Sequence, residues 1–156
     1  MASTSPTPSF LAPGAAAALA ARMHALAPDT PRLWGSMSAH QMLVHCADQV
    51  RVSTGRKPLT SLRVPRFLRP VLKWLVIRPG GFKPNMRTMK ELDPAHAMTS
   101  PTEFAADRAA LLALIAPAAF DGQPGVDHPL FGYLPREEFG RVTWQHLDHH
   151  LRQFGV

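Results

Sequence analysis

The stretch Trp144-Gln-His-Leu-Asp-His-His-Leu-Arg-Gln-Phe154 has the spacing of an amphipathic helix. At about 100° per residue, Leu147 and Leu151 fall on one side of the helix, whereas Asp148 and Arg152 fall on the other. The stretch therefore predicts a helix with one buried and one exposed face, packed against other helices.

The ends of this helix follow from neighbouring residues. It is predicted to begin after Pro135, with Glu137 and Glu138 in its first turn and Arg152 in its last turn. These charges complement the helix dipole. Gly155 provides the residue that commonly follows a helix C-terminus, so the helix is expected to end there.

Three further spans that lack interior prolines predict three more helices. Residues 14–27 are rich in Ala, and Pro28 ends the span. The second helix is predicted from Ser38, which opens a capping box with Gln41, to about residue 52. The third is predicted from Ser100, as its N-cap, to residue 115, with Pro at its first position.

Residues 51–90 carry eleven basic side chains and no acidic one, and they are rich in Pro. Their apolar run Val71–Ile77 predicts a short helix inside a long connection. Apolar and polar residues nowhere alternate over more than a few positions, so no strand is predicted. The predicted fold class is all-α, a four-helix bundle with this basic crossover between helices 2 and 3. Residues 1–11 are predicted to be a flexible tail and residues 12–156 a single domain.

The composition excludes several classes of protein. A chain of 156 residues with 46% hydrophobic residues has room for one domain with a real core. One Cys excludes an internal disulfide framework. Basic residues interrupt the most apolar region, and prolines interrupt the N-terminus, so neither a membrane-spanning helix nor a secretory signal is expected. The expected location is the cytoplasm.

Three of the eight His lie on the last predicted helix. His146 and His150 are one turn apart at the edge of its apolar face, and His149 flanks them. Two imidazoles at positions i and i+4 can bind one metal ion. His45, at a core boundary of the second helix, is the candidate third ligand. Spacing alone leaves open the alternative that these are hydrogen-bonded core residues.

Other side chains are candidates for supporting roles. The candidates for orienting a ligand ring or lying behind it are His149, Asp48, Gln49 and Gln41. Trp34 and His128 are candidate pocket residues. The segment His128–Gly132 is interpreted either as a structural turn that docks Phe131 into the core or as the lip of a pocket.

Three stretches carry a family resemblance: Trp34–Asp48, His128–Gly132 and Trp144–Gly155. They resemble the DinB/YfiT-like superfamily of metalloenzymes, and in particular an uncharacterised bacterial branch ending in HHLRQFG. With the order of helices, the resemblance covers nearly everything after residue 15. It implies a four-helix bundle whose metal is held by one His of the second helix and a His-x-x-x-His pair of the last. The corresponding residues are His45, His146 and His150.

The resemblance also implies a class of function. Characterised members include S-transferases and isomerases that use low-molecular-weight thiols such as bacillithiol or mycothiol. The expectation is a metal-dependent enzyme, a thiol-dependent S-transferase or a hydrolase, acting on a small-molecule substrate. Zn is the first choice for three imidazoles, with Ni, Fe and Mn as alternatives. Dimerisation through exposed helix faces is a further hypothesis.

The basic segment 51–90 supports a competing function. Its Arg and Lys residues surround apolar ones, as in segments that contact nucleic acid or an anionic membrane surface. The alternative function is therefore a non-catalytic binding protein. Two other interpretations remain open: a crossover that packs on the bundle with its charges solvated, and a basic surface that guides an anionic substrate toward the metal.

Overall fold

The computed structural model describes residues 7–78 and 80–156. Within these residues the chain forms five α-helices and one antiparallel β-hairpin. In chain order the elements are α1 (Ala15–His24), α2 (Ala39–Ser53), α3 (Arg69–Ile77), α4 (Phe104–Leu114), β1 (Gly125–His128), β2 (Gly132–Pro135) and α5 (Arg136–Gln153). None of the helices in these ranges has both the length and the apolar character needed to cross a bilayer.

The predicted all-α four-helix bundle is wrong. The four predicted main helices correspond to α1, α2, α4 and α5, and α3 is the short helix predicted inside the crossover. The chain adds the β1–β2 hairpin directly before α5. Each strand has only four residues, too few for a visible alternation, and Gly begins both strands. The pairing of Val126 with Leu134 therefore left no signal that sequence periodicity could detect.

The start of α2 follows the prediction. The Ser38 hydroxyl accepts a hydrogen bond from the backbone N–H of Gln41 at 3.1 Å, and the Gln41 Oε1 accepts one from the backbone N–H of Ser38 at 2.9 Å. Each side chain satisfies a backbone donor that the first helical turn leaves free. The capping box is thus confirmed.

The predicted N-cap of the α4 helix, Ser100, is wrong. The N-cap is Glu103, whose carboxylate accepts hydrogen bonds from the backbone N–H groups of Ala105 and Ala106. Asp107 in the first turn accepts from both the backbone N–H and the hydroxyl of Thr102. These bonds hold the residues before Glu103 outside the helix, and α4 begins at Phe104.

The core lies between α1, α2, α4 and α5 and extends under the hairpin. Part of the predicted flexible tail, residues 1–6, lies outside the described residues. Phe10 is fully buried, and its backbone N–H donates to the carbonyl of Gly140 on α5. Its ring packs edge-on against Phe120 and Phe139. The segment before α1 therefore contributes to the core.

The C-terminal end of α5 carries the predicted Gly. Gly155 has a φ of 74°, and its N–H donates to the carbonyl of Arg152, while the N–H of Val156 donates to the carbonyl of Leu151. This pair of bonds is a Schellman motif, which requires the left-handed conformation that Gly adopts without strain.

Two buried carboxylates hold the crossover: Asp48 ties it to α2, and Glu91 ties two parts of it together. Asp48 on α2 accepts hydrogen bonds from Lys57 at 2.5 Å and from the backbone N–H of Thr99 at 2.8 Å. Glu91 accepts from Thr60 and Ser61. The 3₁₀ turn Lys90–Leu92 lies against α2, and the Leu92 carbonyl is next to His45.

Candidate metal centre

Three buried histidines from two helices meet in the interior. His45 comes from α2, and His146 and His150 lie one turn apart on α5. Each offers one ring nitrogen, and these three nitrogens lie within 4.8 Å of one another. The ring centroids are 4.6–5.0 Å apart. The predicted i, i+4 pair and its predicted partner on the facing helix are thus brought together.

The ring of His45 is oriented by the backbone. Its Nδ1 lies 2.8 Å from the carbonyl oxygen of Leu92. Because a carbonyl oxygen can only accept, Nδ1 carries the proton, and in the neutral ring Nε2 keeps a free lone pair. That Nε2 lies 3.1 Å from the Nε2 of His146. The lone pair of His45 therefore points into the cluster.

The ring of His150 is oriented by an amide. Its Nδ1 lies 2.8 Å from Oε1 of Gln153, and the amide nitrogen of Gln153 donates to the carbonyl of Trp34 at 2.8 Å. The bond to Trp34 identifies which end of the amide is the oxygen. Nδ1 of His150 is therefore the donor, and its Nε2 is left free as a ligand.

His146 has an unsatisfied nitrogen. Its Nδ1 is buried without a hydrogen-bond partner among the described residues. Its ring packs edge-on against Phe82, with centroids 5.2 Å apart. A buried polar atom without a partner is costly, and a catalytic role or a bound ion is among the explanations for one.

Burial keeps all three imidazoles neutral. It lowers the pKa of His146 and of His150 well below the usual value, and the neighbouring rings lower both further. Burial also lowers the pKa of His45, against the smaller opposing effect of the bond to Leu92. Neutral imidazole is the form that binds metal ions. The cluster presents three metal-binding nitrogens at neutral pH.

The donor set fits a divalent ion. Two imidazole nitrogens at about 2.0–2.1 Å from one tetrahedral ion are about 3.3 Å apart. The Nε2 atoms of His45 and His146 are already 3.1 Å apart. In structural and catalytic sites, a metal-binding His donates a hydrogen bond from its other ring nitrogen to an oxygen acceptor. His45 and His150 both do so through Nδ1.

A cavity of about 610 Å³ opens onto the three histidines. Its wall is largely apolar, and α3 contributes Leu72 and Val76 to it. The candidate pocket and supporting residues that line it are Trp34, Gln49, His128 and His149. The cavity has the size of a small-molecule site.

Of the residues predicted to support the metal ligands, two are engaged elsewhere in the fold and two line the cavity. Gln41 is engaged in the capping box with Ser38, and Asp48 binds the crossover. The amide nitrogen of Gln49 donates to Ser53, and its Oε1 is buried without a partner among the described residues. The ring of His149 lies 5.0 Å from that of His150.

Sequence reasoning missed the two groups that orient the ligand rings. Gln153 lies three residues after His150 on the same helix, so i, i+3 spacing could have identified it. The Leu92 carbonyl is a backbone group from a distant segment, and no side-chain pattern marks it.

The segment His128–Gly132 contains the turn of the hairpin, residues 129–131, between the last residue of β1 and the first of β2. Phe131 is buried, and the His128 ring stacks on it with centroids 4.4 Å apart. The Nδ1 of His128 accepts a hydrogen bond from the backbone N–H of Leu130. Burial lowers the pKa of His128 to about 4. The segment is both a turn that docks Phe131 and a part of the cavity wall.

The family model described as "Protein of unknown function (DUF1569)" matches residues 11–155. The chain belongs to this family. The match includes all five helices, the hairpin and the three clustered histidines. The family description names no reaction and no DinB-like relationship. Among curated proteins and among solved structures, no match was found.

Proposed function

We propose that this protein is a metal-dependent enzyme, related to the DinB-like metalloenzymes through its ligand set. His45, His146 and His150 would hold one divalent ion, with Zn²⁺ the first choice and Ni, Fe or Mn as alternatives. The observation that carries the proposal is the cluster itself: three buried, neutral imidazoles within 4.8 Å, two of them oriented through their second nitrogen.

The reaction class follows from this donor set. A divalent ion with three protein ligands acts as a Lewis acid, lowering the pKa of a bound water or thiol so that a nucleophile forms near neutral pH. We infer hydrolysis, or S-transfer from a low-molecular-weight thiol. The small-molecule substrate would occupy the cavity beside the histidines, whose wall is largely apolar.

His128 is positioned to orient that substrate. Its Nδ1 accepts from the backbone of Leu130, so the neutral ring carries its proton on Nε2. A ring that lines the cavity with an Nε2–H group can donate a hydrogen bond to a substrate oxygen. Stacking on Phe131 holds the ring in place.

The metal content of purified protein tests the site. After equilibration with Zn²⁺ and removal of free metal, the wild type is expected to retain about one equivalent. A His45→Ala, His146→Ala, His150→Ala variant is expected to retain close to none. The matched control changes two exposed histidines, His24→Ala and His96→Ala, and should retain the wild-type amount.

Folding must be separated from metal binding, because the three histidines are buried. Single His150→Gln and His146→Gln variants, checked by circular dichroism, provide folded proteins that lack one ligand. Equal metal content in the wild type, the triple variant and these single variants would refute the site.

Activity is tested with ester hydrolysis and thiol S-transfer assays. Removing the metal with a chelator should abolish turnover, and adding Zn²⁺ back should restore it. Turnover that is unchanged in the metal-free protein would refute the enzymatic proposal even if the site binds metal.

A further inference from the structure

The outward surface of α3 is apolar. Phe67 and Leu68, in the short 3₁₀ turn before α3, and Val71, Trp74 and Leu75 on α3 are all exposed, and we name these five residues the α3 patch. Phe67 is 78% exposed and Trp74 is 63% exposed. A helix on a protein surface normally turns polar residues to solvent. Contiguous exposed apolar residues mark an interaction site.

The opposite face of α3 is already packed. Leu72 and Val76 lie against the core and line the cavity, and Lys73 bonds to Glu138 of α5 at 2.8 Å. At about 100° per residue, Val71 and Trp74 lie roughly opposite these inward side chains. The patch is therefore the outer face of a helix that the protein holds in place.

Basic residues surround the patch. Arg66 and Arg78 are exposed at its two ends, and the Arg78 guanidinium lies 5.1 Å from the centre of the Trp74 ring. No acidic residue occurs between residues 51 and 90. Trp and Phe on an apolar face with Arg and Lys around it are typical of a helix that lies in the interface of an anionic bilayer.

We propose that the α3 patch binds an anionic lipid surface. Phe67, Val71 and Trp74 would enter the boundary between headgroups and acyl chains, while Arg66 and Arg78 contact lipid phosphates. This site is separate from the metal centre and does not depend on it. It places α3 between the bilayer and the cavity.

Two other occupants fit less well. A two-fold pair of α3 helices would bring Arg66 and Arg78 of the two copies together without acidic partners in the segment. A nucleic acid would require basic side chains at the centre of the contact. That centre is occupied by the aliphatic side chains of Val71 and Leu75.

Vesicle flotation tests the proposal. The full chain is mixed with vesicles of phosphatidylcholine and phosphatidylglycerol, or of phosphatidylcholine alone. The wild type should float with the anionic vesicles, bind the neutral ones several-fold less, and lose binding as salt increases. For a Phe67→Ser, Val71→Ser, Trp74→Ser variant, the partition coefficient into the anionic vesicles should be at least about tenfold lower.

The controls are an apolar and a basic variant. Leu33 is 67% exposed and lies outside the patch, so Leu33→Ser should float like the wild type. An Arg66→Gln, Arg78→Gln variant should bind the anionic vesicles more weakly than the wild type does, and its binding to the neutral vesicles should be unchanged. Thermal unfolding by circular dichroism should show that each variant is folded, because the replaced side chains are exposed.

The proposal is overturned if the wild type floats with neither vesicle, or if the triple Ser variant floats as well as the wild type. A dimer in light scattering that the triple Ser variant converts to monomer, without vesicle binding, would identify a second copy instead. Duplex or single-stranded DNA that binds the wild type when vesicles do not would identify nucleic acid. Both results overturn the proposal.

Discussion

The Nδ1–H of His150 donates to Oε1 of Gln153, three residues further along α5, at a distance of 2.8 Å. Gln153 is buried, and its amide nitrogen is bound to the carbonyl of Trp34. The amide is therefore held from both ends. This arrangement directs Nε2 of His150 toward the other two histidines and couples the loop before α2 to the candidate metal centre.

The first prediction concerns Gln153. Gln153→Ala leaves His150 without its orienting acceptor, and the affinity for Zn²⁺ should fall about 10- to 100-fold. Competition against a chromophoric chelator measures the affinity. Gln123→Ala, which changes an exposed Gln, should leave it unchanged. An affinity equal to the wild type in Gln153→Ala would show that the amide has only a structural role.

The histidine cluster was the part of the site that sequence could predict. Helical spacing places His146 and His150 on one face, and the apolar residues around them place that face inward. The choice of His45 as the third ligand rested on its core-boundary position and on the family resemblance. Its approach to within 3.1 Å of His146 depends on how α2 packs on α5, which spacing within one helix does not determine.

Two parts of the fold that sequence did not predict depend on hydrogen bonds within short segments. The hairpin is formed by strands too short to show alternation. The capping of α4 by Glu103 instead of Ser100 depends on Asp107 binding Thr102. In both places a tertiary or backbone contact outweighs the local pattern.

The crossover illustrates a different limit. Its short helix was predicted at Val71–Ile77 and is observed as α3, Arg69–Ile77. Because every residue of this run except Lys73 is apolar, periodicity alone did not determine which of the apolar side chains would be buried. The structure packs the partly buried Leu72 and Val76 against the core and leaves Val71 and Trp74 exposed.

Asp48 is predicted to support the fold and not the metal. Its carboxylate receives hydrogen bonds from Lys57, Arg51 and Thr99. Asp48→Asn leaves Lys57 facing a neutral amide in a buried site, so the free energy of unfolding should fall by about 3 kcal/mol.

Urea unfolding measures the loss in Asp48→Asn, and metal analysis of the folded variant should still give about one equivalent. Asp127→Asn, at an exposed carboxylate, should change the stability by less than about 0.5 kcal/mol. Loss of metal from folded Asp48→Asn would instead assign the carboxylate a role at the histidines.

Phe10 is predicted to be a core residue despite its position near the N-terminus. Its ring is fully buried and lies 5.6 Å from Phe120 and 5.7 Å from Phe139. Phe10→Ala should lower the free energy of unfolding by about 3–5 kcal/mol because it opens a cavity. Phe67→Ala, at an exposed ring, is the matched control and should cost less than about 0.5 kcal/mol. Equal urea midpoints for the two variants would show that residues 7–11 belong to a flexible tail.

Glu91 is predicted to make the protein sensitive to acid. Burial alone would raise the pKa of its carboxyl, but the hydrogen bonds from the Ser61 hydroxyl and from the backbone N–H groups of Thr60 and Ser61 outweigh burial. They lower the pKa from 4.5 to about 2. The ionised form is therefore favoured by folding, and its contribution is complete above pH 4.5 and is lost as the pH falls toward 2.

The difference between these two pKa values corresponds to about 3 kcal/mol. In Glu91→Gln the side chain keeps its shape but no longer titrates. Urea unfolding of both proteins at a series of pH values from neutral to acidic gives the pH dependence of each. The wild type should lose about 3 kcal/mol more than Glu91→Gln as the pH falls through this range, because Asp48 and the other acidic groups titrate equally in both proteins. Parallel curves would mean that the Glu91 carboxylate is as exposed to protonation in the folded chain as in the unfolded one, and that the bonds from Thr60 and Ser61 do not stabilise the crossover.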